Sequence, residues 1–512
     1  MSTGPVQTPP SAAPLVVGVD CSTTSVKAIV WDARGSEVSR GQVSLSLQVP
    51  SPGAAEQDPR EWWEALASAV RAATAAVDAE RIVALAITHQ RETFVCLDAA
   101  GEPVRPAQLW MDVRAAEQVA EHGTDRVHAI TGKPANPTPA WYKLLWLRRH
   151  EPRALEATAR VAEVHGYLVQ RLTGTAVTSA ASADPLGLVD LEAGRYSGEM
   201  LDAVGLTTRH VDRLVPPGAP IGSLLPAVAA ELGLPASVVV VAGAGDGQCA
   251  GLGAGVTDSR RAYLNIGTGL IAGTVSSTYA PSRAYRALLG ADPGTYAYEL
   301  FIGAGTLMVT WFLDTFLDPP GAGGGSPGGL EQHWERRAAA VAPGSDGLLT
   351  VPYWNGALTP HWDPYARGIM IGLTPAHDRA AIYRSILEGV ALELRLCLEH
   401  AEPALEAPIG EFITMGGGSR SPVWCQMIAD VLQRPLVLCD NDEASSLGAG
   451  MLAAVGAGIH PDVPAAAAAM SSGGRRFEPD AEAGRAYDAV YARYRAVYPA
   501  VAPLFAVDEG ES

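Results

Sequence analysis

The sequence predicts an α/β protein of two lobes, and three features carry that expectation. Four consecutive valines at 238–241, bounded by turn residues, fit a strand covered on both faces, as in a mostly parallel sheet. Two segments, LVVGVDCSTTSVKAIVWD at 15–32 and RAYLNIGTGLIAGTVSS at 261–277, each read as apolar strand, small polar turn, apolar strand. They stand nearly half the chain apart, as a duplicated architecture would place them. A chain of 512 residues, 48% hydrophobic, is too long for one core, so at least two domains are expected.

The opening MSTGPVQTPPSAAP has neither basic residues nor an apolar run, and reads as a disordered tail rather than a signal peptide. The first hairpin follows, its turn at 20–25 packed with small hydroxyl residues. Asp58 and Pro59 open a helix as N-cap and first helical residue. A strand at 81–88 then delivers His89, Gln90, Arg91 and Glu92, and a further strand and turn lead to Trp110, Asp112 and Arg114. The stretch 142–174 reads as mainly helical. The valine strand runs into GAGDGQ, where Gly243, Gly245 and Gly247 are expected to supply left-handed backbone angles and room for a ligand around Asp246. After the second hairpin, GAGGGSPGG at 321–329 reads as a surface loop. A long helix is expected at 380–400, followed by strand, glycine turn and helix in FITMGGGSRSPVWCQMIADVL, with Ser421 as N-cap and Pro422 first in the helix. The helix at 445–458 carries small residues on several faces, which lets it pack close to a neighbour. Tyr487, Tyr491, Tyr494 and Tyr498 form a stripe at helical spacing, read as core packing.

A net charge of −18 argues against nucleic acid or anionic membrane as partners. No apolar run reaches the roughly 20 residues of a membrane helix. The six cysteines are scattered without a CxxC pair, which fits a reducing cytoplasm and offers no zinc or disulfide framework.

Three turns rich in glycine or hydroxyl residues follow strands: DCSTTS at Asp20, NIGTG at Asn265 and MGGGSRS at Met415. Such turns aim several backbone N–H groups at one point and can cradle phosphate. None fits the Walker pattern, and no GxGxxG opens a helix. Two of these hairpins facing one another would clamp a nucleoside triphosphate. Asp20 reads either as a turn cap or as a carboxylate holding Mg²⁺ through water. Arg91-Glu92 is either a solvated turn or a buried pair that grips substrate hydroxyls. Asp246 is either an ordinary Gly-Asp turn or a general base.

In order along the chain, GVDCSTTSVKAIVWD, EQDPREWWEAL, HQRETFVCLD, LWMDVRA, KLLWLRRHEP, VVAGAGDGQCAGLGAG, NIGTG, VPYWNGALTPHWDPYARGIMIGLT and MGGGSRSPVWCQMIADVL resemble the FGGY carbohydrate kinases. The length and the WWEAL and RRHEP segments are most similar to the xylulokinase branch. The resemblance implies the two-lobed actin-like (ribonuclease H-like) ATPase fold with a central cleft, a tail at 1–14, an N-terminal lobe at 15–257 and a C-terminal lobe at 258–512. It implies ATP and Mg²⁺ as cofactors, a small ketose or polyol as substrate, cytoplasmic location and the family's habit of forming homodimers. Asp246 matches the family's base, Arg91 and Glu92 its substrate pair, Trp110 and Asp112 the pocket wall, and Asp20 the Mg²⁺-side carboxylate. Thr23, Thr24 and Ser25 match the first phosphate hairpin, Gly267 and Thr268 the second, and Gly416, Gly417, Gly418 and Ser421 the adenine-side turn. Ser22 stands where the family usually has glycine. Arg-Glu is the glycerol kinase form of the pair, where xylulokinases usually carry Met-His. Yet Gly247 replaces the glutamine of glycerol kinases, and their tyrosine is missing near Thr138. A pentulose kinase, a glycerol or tetritol kinase and a non-catalytic nucleotide-binding scaffold all remain open at this point.

Overall fold

The computed structural model describes residues 13–316 and 327–505. The first twelve residues of the expected tail, and 321–326 of the glycine-rich segment, lie outside them. The last residues of that segment, expected as loop, instead open the helix Pro327–Ala339.

Among the described residues two large sheets dominate. In the first, β1 (Leu15–Cys21), β2 (Ser25–Trp31) and β3 (Glu37–Ser44) form an antiparallel meander, and β4 (Ile82–His89) joins β1 in parallel. The edge strand β5 (Pro220–Ser223) pairs antiparallel with β6 (Val239–Gly245), which itself runs parallel to β4. The second sheet repeats this plan. Its hairpin β7 (Arg261–Ile266) and β8 (Leu270–Ser276) continues through β9 (Arg286–Leu289) and β10 (Tyr296–Ile302). On the other side β11 (Glu411–Met415) and β12 (Leu436–Cys439) add in parallel, with β13 (Gly473–Phe477) at the edge. Strand orders 3-2-1-4-6 and 10-8-7-11-12 are therefore equivalent, and the expected duplication is present. β1 and β6 are buried along nearly their whole length because helices cover both faces of the sheet.

Helix α1 (Pro59–Thr74) starts as expected, with the Asp58 carboxylate accepting from the Arg60 amide. It covers one face of the first sheet through Trp62, Leu66 and Val70. The opposite face is covered partly by the C-terminal part of the chain. After α2 (Asp246–Gly253), α3 (Arg379–Ala401) and α4 (Pro422–Leu432), the chain forms α5 (Ala444–Gly456) and α6 (Val463–Met470). Leu447, Leu452, Val463 and Met470 pack with Val16, Ile29, Trp31 and Val241. Glycines make this seam close. A Cβ on Gly18 would stand 2.0 Å from the Ser446 carbonyl, and one on Gly448 would stand 2.0 Å from the Cys249 carbonyl of α2. The small-residue face anticipated for α5 thus meets both a sheet and a helix.

The tyrosines of α7 (Ala481–Val501) line the second core as expected. Tyr487 hydrogen-bonds Glu388 at 2.9 Å, and Tyr494 hydrogen-bonds Glu393 at 2.5 Å. A second element departs from expectation. Within 142–174 the chain breaks helix at Arg160–Glu163 to pair with Phe94–Leu97 in a small four-stranded sheet. Four residues are too few to show a period of two against flanking helices.

Candidate active site

Three parallel strand ends build the site. Register pairs Asp20 with Thr88 and Cys21 with His89 between β1 and β4, and Gly245 with His89 between β6 and β4. Asp20, Arg91 and Asp246 therefore emerge side by side at the carboxyl edge of the first sheet, where open α/β sheets bind ligands.

Asp246 is the first residue of α2. Its Oδ1 accepts from the Gly247 amide at 2.7 Å and stands 2.8 Å from Arg91 Nε. Oδ2 has no partner among the described residues, and the side chain is 41% exposed to the cleft. One oxygen is anchored and the other is available. The depth of the site raises the Asp246 pKa above the ordinary carboxylate value; Arg91 opposes this, and the charges of Glu92 and Glu299 add to it.

The glycines around Asp246 do not take the left-handed angles expected of them: none of Gly243, Gly245 and Gly247 has positive φ. They are needed for close approach. A Cβ on Gly243 would stand 1.8 Å from the Ile87 carbonyl, and one on Gly245 would stand 2.5 Å from the Arg91 side chain. One on Gly247 would stand 2.4 Å from Glu299 Oε1 and 2.8 Å from Arg91 Nη2. The room they leave is filled by the Ile87 backbone at Gly243 and by Arg91 and Glu299 at Gly245 and Gly247.

Arg91 and Glu92 are buried, and the second lobe holds both. Glu299, on β10, receives Arg91 Nη1 at 2.8 and 2.9 Å, Arg286 Nη2 at 2.7 Å and the Tyr263 hydroxyl at 2.5 Å. Arg286, on β9, also binds Glu92. Burial pushes the Glu299 carboxyl up, but the two guanidiniums and the Tyr263 hydroxyl outweigh it and hold it at about 2. Glu92 adopts φ 57°, a left-handed angle uncommon for a residue with a side chain. Its carbonyl accepts from Lys143 Nζ at 3.2 Å. That buried ammonium also reaches the carbonyls of Leu109, Trp110 and Thr138, at 3.0, 3.4 and 2.6 Å, and burial pulls it down to about 7. It ties together three segments of the pocket wall.

Of the expected wall residues, Trp110 donates its indole N–H to Thr23 Oγ1 at 3.0 Å, bracing the tip of the first hairpin. Thr23 Oγ1 also donates to Gln90 at 3.1 Å, and Gln57 binds the Thr23 carbonyl at 2.7 Å. Asp112 is fully buried: Arg114 stands 2.7 Å away and the Ala55 amide donates at 3.0 Å, so its carboxylate serves the wall from behind. Asp20 Oδ1 is buried without a hydrogen-bond partner among the described residues. Burial first, then the neighbouring Asp246, pushes its carboxyl up to about 7.

Between β1 and β2, Ser25 closes the turn by accepting from the Ser22 amide at 2.9 Å, leaving the Thr23 and Thr24 N–H groups without protein acceptors among the described residues. In the second hairpin the carbonyls of Gly267 and Thr268 accept from Thr306 at 2.8 Å and Gly305 at 2.7 Å, while their own N–H groups find no protein acceptor among the described residues. Gly416 (φ 88°) and Gly418 pack against this hairpin: Cβ atoms there would meet Asn265 Oδ1 at 2.4 Å and Ile266 Cγ2 at 2.3 Å. Gly417 faces open space. Ser421 caps α4 through the Trp424 amide at 3.1 Å, the role its position implied.

Glu299, Arg286, Tyr263, Lys143 and Gln57 were not anticipated. The signal for Glu299 was present: YAYELFI is an apolar strand with one carboxylate in its interior.

The chain matches the N-terminal domain model of the FGGY family of carbohydrate kinases over residues 15–253 and the C-terminal domain model over 262–457. It is 34% identical to the xylulose kinase of Streptomyces coelicolor, over 86% of this chain and 88% of that one. It is 26% identical to the gluconokinase of Bacillus subtilis, over 85% and 86%. The crystal structure of xylulose kinase from Rhodospirillum rubrum superposes with a TM-score of 0.90 at 29% identity, covering 96% of this chain and 99% of that one. No described helix is long and apolar enough to cross a membrane. With two duplicated lobes, a hairpin of the same plan in each and matching domain models over both halves, the chain belongs to the FGGY family of carbohydrate kinases, ATP-dependent sugar kinases.

Proposed function

We propose that this kinase phosphorylates a neutral ketose of the pentulose class, with Asp246 as the general base. The observation that carries the reading is Asp246 itself: one oxygen is fixed by Arg91 and the Gly247 amide, and the other is open to the cleft. A substrate hydroxyl placed against Oδ2 gives up its proton as its oxygen bonds to the γ-phosphorus and the bond to the ADP oxygen breaks. The unclaimed N–H groups of Thr23, Thr24, Gly267 and Thr268 suit the phosphate oxygens, where they would spread transition-state charge. Gly417, with space around it, suits the nucleotide base side.

Asp20 fits a Mg²⁺ partner: a buried carboxylate oxygen lacks any donor among the described residues, and burial, then the charge of Asp246, raises the carboxyl. No group of three protein ligands exists among the described residues. This suits an ion carried mainly by phosphate oxygens and waters, with one or two carboxylates from the protein. When bound, Mg²⁺ supplies neutralisation of the developing phosphoryl charge.

Charge pairing favours a neutral acceptor over a sugar acid. Arg91 faces Asp246 and Glu299, Arg286 faces Glu92 and Glu299, and Lys133 faces Asp184. Lys143 is saturated by carbonyls. A substrate carboxylate would find no unmatched cation in this set. A glycerol or tetritol acceptor is the second reading, favoured by the Arg91-Glu92 pair itself. Coupled ADP release measured with D-xylulose, other ketopentoses, tetritols, glycerol and gluconate separates the readings. The pentulose should give the highest kcat/KM, and a preference for gluconate would overturn the charge argument. In Asp246→Ala, turnover should be lost with nucleotide binding retained; near-normal phosphorylation would remove the base assignment.

A further inference from the structure

Arg91 and Glu92 are adjacent in the chain, yet each is held by a different residue of the other lobe, and those two residues hold each other. Arg91, Glu299, Arg286 and Glu92 form a run of three ion pairs of alternating charge across the cleft, closed into a ring by the peptide link between Arg91 and Glu92. The formal charges cancel, and Glu299 is fully buried. Burial of four charges is tolerable only when every one is paired, and this pairing is available only with the lobes together.

We propose that Glu299 is a positioning residue for phosphoryl transfer: from the second lobe it fixes the Arg91 guanidinium, and through it the orientation of Asp246. The proposal rests on the reading of Asp246 as base. Arg91 Nη1 lies 2.8 Å from Glu299 Oε1 while its Nε lies 2.8 Å from Asp246 Oδ1, so one planar group bridges the two carboxylates. Tyr263 locks Glu299 from behind at 2.5 Å. Gly245 and Gly247 bring the Asp246 backbone against both side chains, and a Cβ at Gly247 would collide with Glu299 as well as with Arg91. Two features of the first lobe, Arg91 and Gly247, are therefore shaped around a carboxylate of the second. A separated second lobe withdraws Glu299, frees Arg91 and leaves Asp246 without its fixed orientation. A water entering the open cleft then meets no ordered base.

The test is steady-state kinetics on the full chain, with D-xylulose or the best acceptor of the panel. Glu299→Gln keeps the shape and removes the charge. Its kcat should fall about 100-fold, the scale of a misplaced catalytic group, with KM for ATP within about twofold. That loss should be largely absent when Glu299→Gln is added to Arg91→Met, because the residue acts through Arg91. Wild-type kcat in Glu299→Gln, or an equal loss in the Arg91→Met background, overturns the proposal. Should the single variant fail to fold, Arg286→Met with Glu299→Met removes the second-lobe pair without leaving a net charge. It should show the same fall in kcat, and wild-type turnover there overturns the proposal too. Asp246→Asn is run alongside: if it stays active, the base reading has failed; if it is dead while Glu299→Gln is normal, only the positioning role has.

Discussion

The lobes meet in two ways that could hardly differ more. Along the seam of α2, α5 and the first sheet, contact is made by backbone against backbone, with Gly18, Gly253 and Gly448 removing the side chains that would keep the surfaces apart. Across the cleft, Arg91, Glu92, Arg286 and Glu299 meet through long charged side chains, flanked by the Ala287 amide on the Gly132 carbonyl at 2.9 Å and the Leu289 amide on Asp184 at 2.6 Å. Dense packing tolerates almost no displacement. An ion ring is strong when closed, and water can take over each of its charges when it opens. The seam is thus built as a pivot and the cleft as a latch.

Gly448→Val should break the pivot with the largest effect on stability. Its side chain would enter the Cys249 carbonyl, and overpacking of this kind costs about 3 kcal/mol; denaturant melts should show it. Gly247→Ala probes the latch. Its methyl group would displace Glu299 or Arg91, so kcat should drop roughly 30-fold, within the range for a shifted catalytic group, while the melt changes little. If both variants lose stability equally and activity not at all, the distinction between pivot and latch is wrong.

Acid should act on the cleft before the seam. Burial, then the charge of Asp246, pushes the Asp20 carboxyl up to about 7, so with Asp20 in its proposed place beside Mg²⁺ a proton would compete with the ion below that pH. The Mg²⁺ concentration for half-maximal rate should therefore rise as pH falls from 8 to 6, a titration of rate against Mg²⁺ being the measurement. The raised Asp246 pKa acts with the same sign, since as the proposed base it must be ionised and takes up its proton at a higher pH than an ordinary carboxylate. The smallest effect is expected at Lys27–Glu443, an interlobe pair at 2.7 Å whose lysine is 27% exposed. Lys27→Met should change stability by no more than about 1 kcal/mol.

Much of this was legible in the sequence. Both hairpins, the valine strand, the Asp58 and Ser421 caps and the tyrosine stripe follow from periodicity and capping chemistry, which are local. Asp246 could be singled out because glycines surround it. The reason for those glycines could not be read, because the groups that need the space, the Ile87 carbonyl and the Arg91 and Glu299 side chains, are far away in sequence. Arg286 and Glu299 escaped for the same reason: a charge inside a strand shows its value only when its partner on another sheet is known. Asp112 looked like a pocket residue, and only its contacts with Arg114 and Ala55 place it behind the wall.

The cover that α5 and α6 provide also has a consequence for synthesis. The first sheet is complete once Gly245 has left the ribosome, but the helices that shield one of its apolar faces begin only at Ala444. At roughly 5–20 residues per second, the intervening stretch of chain takes on the order of 10–40 s to make. For that interval Val16, Ile29 and Val241 lack their final neighbours. The nascent chain is therefore a natural client for chaperones, and a fragment ending near the close of the first lobe would be a poor soluble domain.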